Sequence, residues 1–275
     1  MDRLLRLLMI FSLSVLFFSC EENPPIHTDT ENTVPGDTGE SEDEETPSDP
    51  IDEKYPNWKV GISGFGFSPQ SPKGTTFTIK EKKFLIKYLA LTRSILNTQE
   101  FLDAWEKNKD SIDCASETDS YPGSPYSIST GQEYDKDRLL ETILNADFDV
   151  LYRKHNLESN IASANVGKSL YVRQGYDPDV YDTEYLCNLW SGDLTQTPQG
   201  YVSYLSLIFH ENLHNAGMEH HSGYDAVSKI QMILFNVLYG NPNNIEGRYA
   251  EQTAEIENSY LEKYAHLLTD DVNMP

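Results

Sequence analysis

Basic residues are scarce in this chain. Only 21 Lys and Arg stand against 44 Asp and Glu, a formal net charge of -23. That balance excludes nucleic acid as the default partner, because phosphate binding needs a basic face. Cysteine is also scarce, with three in 275 residues, so at most one internal disulfide can form. Long apolar runs are missing as well. The longest opening stretch, Leu7 to Ser19, falls short of the roughly 20 apolar residues a spanning helix needs. No internal repeat is visible, and no D-x-[DN]-x-[DN]-G series marks a calcium loop. What remains is ample for folding: the length suits one or two domains with a sizeable core, and 38% of residues are hydrophobic.

The missing positive charge is concentrated in one place. Between Glu21 and Glu53 there are 13 acidic residues and no Lys or Arg, so over half of the net charge sits there. Ahead of it, "MDRLLRLLMIFSLSVLFFSC" has two arginines, an apolar run and Cys20, the n-region and h-region of a secretory signal. "LFFSC" resembles a bacterial lipobox, with Phe17 where that motif has an aliphatic residue. The resemblance implies a signal peptide over 1–19, cleavage before Cys20 and lipidation of its sulfur. Several acyl chains make a stable anchor. "CEEN" resembles the acidic export signals of surface lipoproteins in Bacteroidota. The expected address is therefore a bacterial membrane reached by export, foremost the outer membrane and its surface. The bland alternative is an ordinary secretory signal with an incidental cysteine. Cys114 and Cys187 are left as either a disulfide pair or two buried thiols.

Residues 20–55 combine the lipidated cysteine with a tether rich in Glu, Asp, Thr, Pro and Ser. Such a composition cannot bury enough apolar surface to offset ordering entropy. A folded domain is expected over 56–275. "NWKVGISGFGFSPQSPKG" predicts a short strand with loops. "KEKKFLIKYLALTRSIL" predicts a helix with one buried face. "NTQEFLDAWEKN" restarts a helix, with Asn97 as its N-cap and Glu100 three positions on. "DKDRLLETILNA" predicts another helix. "FDVLYRKHN", "GKSLYVRQGY" and "DVYDTEYLCNLWSG" predict strands. "TPQGYVSYLSLIFHENLHNAG" predicts a buried helix with Val202, Leu205, Phe209 and Leu213 on one stripe, ended by Gly217. "YDAVSKIQMILFNVLYG" and "EGRYAEQTAEIENSYLEKYAHLL" predict two more.

Four of the seven histidines fall in "HENLHNAGMEHH". On a helix, His210 and His214 lie one turn apart on one face, and their imidazoles can converge on one ion. Glu211 projects beside them. Gly217 lets the chain break out of the helix at little cost, so that His220 can return as a third ligand. The pattern is H-E-x-x-H-x-x-G-x-x-H, which average composition would produce by chance on the order of once in 10⁵ chains of this size. Satisfied structural histidines are the alternative. His221 is expected to face solvent, since catalytic zinc sites commonly use three protein ligands. Asp225 and Tyr224 have weak claims, as a partner of a ligand histidine and as a contributor to the reaction.

These eleven residues resemble the zinc-binding consensus of the metzincin metallopeptidases. The resemblance implies an α+β fold: a twisted mixed sheet with backing helices, the zinc helix at a cleft, and a smaller, mainly helical C-terminal subdomain. The boundary would fall near 217/218, giving an upper part over 56–217 and a lower part over 218–275. It also implies one catalytic Zn²⁺ held by His210, His214 and His220, and hydrolysis of peptide bonds by a zinc-activated water. Glu211 would be the general base. The family carries a methionine turn beneath the zinc. The nearest downstream candidate is Met232, inside an apolar stretch that equally suits a core helix, and Leu234 replaces the family's tyrosine. The expected partners are a protein or peptide substrate and, through lipid, a membrane. Two rivals stay open: a tethered binding or adhesion lipoprotein with a structural or vestigial zinc site, and a zinc amidase acting on cell-wall peptide.

Overall fold

A computed structural model describes residues 49–67, 76–112, 133–155, 162–164, 185–190, 200–218, 226–239 and 245–269. The elements in chain order are α1 (Pro50–Lys54), β1 (Lys59–Phe67), α2 (Ile79–Leu96), α3 (Gln99–Asn108), α4 (Lys136–Leu144), β2 (Asp147–His155), β3 (Ala162–Ala164), β4 (Tyr185–Trp190), α5 (Gly200–Asn215), α6 (Ala226–Tyr239) and α7 (Ile245–Lys263). Short 3₁₀ turns follow α3 at Lys109–Ser111 and α7 at Ala265–Leu267. The predicted strand "GKSLYVRQGY" lies outside the described residues.

The sheet is mixed, in the order β1-β2-β4-β3. Strands β1, β2 and β4 run parallel, and β3 pairs antiparallel with β4 at the edge. Parallel strands need crossover connections, and α2, α3 and α4 lie in the one between β1 and β2. Val150, Tyr152 and Lys154 of β2 alternate along the strand and are all buried. They point to one face, which meets α5 through Tyr152 and Asn212 and meets α2 through Lys154 and Glu81. On β1, a Cβ at Gly61 would overlap the Asp149 carboxylate and the Tyr264 hydroxyl. Glycine is what lets Tyr264, at the end of α7, reach the sheet there.

The folded unit begins earlier than 56. Ile51 and Tyr55 are buried, and Ile51–Pro275 forms one compact unit. Arg93 of α2 explains the early start. It is buried, donates to the Tyr55 carbonyl (3.0 Å) and the Tyr260 hydroxyl (3.2 Å), and pairs with Asp52 (2.7 Å). One guanidinium thus ties α1, α2 and α7 together. Helix α7 packs along α2, and α6 packs on α3 and α5. The helices that follow Gly217 are therefore built onto those that precede it.

Local signals account for the helix ends. Thr78 and Glu81 form a capping box at α2: Thr78 Oγ1 accepts from the Glu81 amide (3.2 Å), and Glu81 Oε2 accepts from the Thr78 amide (2.9 Å). Asp135 caps α4 through the Arg138 amide. The cap of α3 is Thr98, not the expected Asn97. Asn97 closes α2, and its side chain is spent elsewhere. It accepts from the Asn57 amide (3.0 Å) and donates to the Asn57 carbonyl (2.9 Å) and the Arg93 carbonyl (2.8 Å). That clamp sets the entry to β1, where Trp58 takes a left-handed φ of 58°. Its ring is fully buried, 5.1 Å from that of Phe209 on α5.

Candidate metal centre

Helix α5 buries Leu205, Ile208, Phe209 and Leu213. Those apolar contacts hold its polar last turns inside the protein. His210 is 6% exposed, Glu211 2% and His214 2%. Asn212 and Asn215 are buried as well; Asn212 donates to the Tyr152 hydroxyl of β2 (3.1 Å) and accepts from Asn215 (3.3 Å). Five consecutive-turn polar side chains in a core demand partners, and the pattern of partners is informative.

The two imidazoles sit edge to face, with centroids 4.9 Å apart. His210 Nδ1 lies 2.9 Å from Gln231 Oε1 of α6. His214 Nδ1 lies 2.6 Å from the Met218 carbonyl. Both oxygens accept, so each ring donates from Nδ1. Each ring then carries its lone pair on Nε2, the tautomer in which that nitrogen can bind a metal ion.

The end of α5 is built to deliver the second of these bonds. Gly217 has a φ of 97°, a left-handed conformation that costs glycine little. The Met218 amide donates to the Leu213 carbonyl (3.1 Å) and the Gly217 amide to the His214 carbonyl (2.7 Å). This pair of bonds is a Schellman motif. It folds the chain back so that the Met218 carbonyl meets the His214 ring. The glycine that stops the helix thus also orients the histidine one turn before it.

Asn215 Oδ1 and Glu211 Oε2 are the exceptions among these groups, and of the two residues only Glu211 is ionisable. Its Oε2 is buried and makes no hydrogen bond among the described residues. Burial alone pushes its carboxyl up to about 8, because no charge or donor offsets the lost solvation.

His210, Glu211 and His214 are brought together on α5. His220 lies outside the described residues, as do Cys20, Cys114, His221, Tyr224 and Asp225. No group of three or more metal-binding side chains occurs among the described residues. Cys187 is buried in β4. Met232 stands half-buried inside α6, so the backbone there is helix and not a turn. Its neighbour Gln231 was not expected at the site. The available signal was a lone amide in the apolar run "KIQMIL", which gives a reason to look but no partner. Comparison of the chain with protein-family models, with curated proteins and with solved structures yields no match.

Proposed function

We propose that this chain is a zinc-dependent endopeptidase, carried on an exported protein that is anchored by lipid at Cys20. The observation that carries the proposal is the pair of oriented imidazoles: His210 and His214 both donate from Nδ1, which leaves the lone pair of each ring on Nε2. The donor types suit Zn²⁺, which takes histidine nitrogen readily. The Glu211 oxygen, unmatched among the described residues, fits as well, since a buried carboxyl without a partner is costly and a nearby dication offsets that cost. His220 completes the set through the spacing of the sequence.

Bound zinc would supply Lewis-acid polarisation and bring the pKa of water within reach of neutral pH. The chain's own residues do the rest. Glu211 takes the proton of the attacking water and returns it to the leaving amine. The apolar surroundings of α5 keep bulk water from competing for that proton. Gln231 and the Met218 carbonyl hold the rings in place while this happens.

The test is metal analysis of the whole chain together with digestion of a peptide library, alongside Glu211→Gln. The expected result is one zinc per chain in both proteins, and cleavage by the native chain only. Full cleavage by Glu211→Gln would sink the mechanism. A native chain that holds zinc and leaves the library intact is the tethered binding protein instead.

A further inference from the structure

We infer that Gln231 of α6 is the positioning residue for the first histidine of the centre, and that α6 serves through it as the site's floor. The inference rests on the zinc reading above and goes beyond it, because Gln231 lies outside the motif. Gln231 lies 21 positions after His210, and only the fold brings the two together.

The setting of Gln231 argues for this role. Helix α6 buries Val227, Ile230, Ile233, Leu234, Val237 and Leu238, and Gln231 stands among them with 4% of its surface exposed. A carboxamide there gives up its hydration, whereas leucine or methionine at the same place would not. Packing alone therefore gives no reason for glutamine. The bond to His210 does. A neutral imidazole in water favours the proton on Nε2, which would leave its lone pair on Nδ1. The Gln231 oxygen, 2.9 Å from Nδ1, holds the proton on Nδ1 and so commits Nε2 to the ion. His214 receives the same service from the Met218 carbonyl, which belongs to its own helix end. For His210 the acceptor comes from α6.

The chemistry of the partner adds a second consequence. Ligand histidines often donate to carboxylates, which raise their basicity. An amide orients the ring without adding negative charge. Glutamate at 231 should therefore hold the ion at least as tightly as glutamine does, while leucine should hold it less well.

The experiment uses the full chain and reads two quantities. Zn²⁺ affinity is measured by competition with a chelator. The tautomer of His210 is read from ring ¹⁵N shifts in the metal-free protein. In Gln231→Leu, Zn²⁺ affinity should fall by roughly 10–100-fold, and the His210 proton should leave Nδ1. In Gln231→Glu, affinity should equal or exceed that of the native chain, a rescue that simple core repacking would not give. Native affinity and a retained Nδ1 proton in Gln231→Leu would overturn the inference. Should that variant not fold, affinity in Gln231→Glu below the native value overturns it equally. A native chain that takes up no zinc removes the endopeptidase reading, and the tautomer measurement then decides the role of Gln231 by itself.

Discussion

The chain buries ionisable side chains in two regions and treats them in opposite ways. Around α2, every buried cation has matched partners. Arg93 meets Asp52, the Tyr55 carbonyl and the Tyr260 hydroxyl. Lys154 pairs with Glu81 at 2.6 Å, and Lys82 donates to the carbonyls of Leu267 and Thr269. Around the end of α5, the histidines are oriented through Nδ1 and Glu211 keeps an oxygen unmatched among the described residues. The buried cations that serve the fold are paired, because an unpaired buried charge destabilises strongly. A buried carboxyl left unmatched among the described residues is a group whose cost a bound cation would offset.

The largest test of this contrast is Glu211→Gln. Peptide cleavage should fall by roughly 10²–10⁴-fold, while thermal unfolding of the metal-free chain stays the same or improves. Marked destabilisation would show that Glu211 belongs with the paired, structural group. The mirror experiment is Glu81→Ala, which strands Lys154 in the core. It should lower unfolding free energy by about 3–5 kcal/mol in urea denaturation and leave zinc stoichiometry at the native value. Gly217→Ala comes next. It forces a side chain into a left-handed conformation at about 1–2 kcal/mol and shifts the Met218 carbonyl. Both melting temperature and Zn²⁺ affinity should drop, and a fall in stability alone would separate the turn from the site.

The smallest effect concerns alkaline pH. Burial lifts the Tyr260 hydroxyl to about 12, with Arg93 opposing. In the unfolded chain a tyrosine ionises near 10. Between these values the native state holds more protons, so stability is full below about pH 10 and declines as pH rises through about 12. Tyr260→Phe should flatten that decline in a pH series of denaturant midpoints. An unchanged profile would remove Tyr260 from the paired cluster's alkaline response.

Much of this was legible along the chain because it is local. Helical periodicity marked α2, α5, α6 and α7, and spacing alone put His210, Glu211 and His214 on one turn. Gly217 announced the end of α5. The remainder depends on contacts between distant segments. Asn97 and Thr98 are both good caps, and only the clamp to Asn57 decides between them. Asp52 looks like any other acid in the tether until Arg93, 41 residues later, claims it. Gln231 is invisible as a partner of His210 for the same reason. Strand β3, only three residues of Ala and Ser, carries neither length nor β-branched side chains to announce itself. Met232 illustrates the converse: a methionine where a turn was sought sits in continuous helix, while the residue beside it reaches the site.

The sheet has a bearing on how the chain acquires its shape in time. Lys59 pairs with Asp147, and β2 then pairs with β4 at Tyr185. The first strand has to wait for partners made much later, and long-range parallel pairing of this kind slows folding. A strand that waits is exposed to other chains. Strand β1 reads KVGISGFGF, and its three glycines lower the tendency to pair prematurely. A slow-closing sheet with a dilute first strand sets the moment at which α5 first meets Tyr152 of β2 through Asn212.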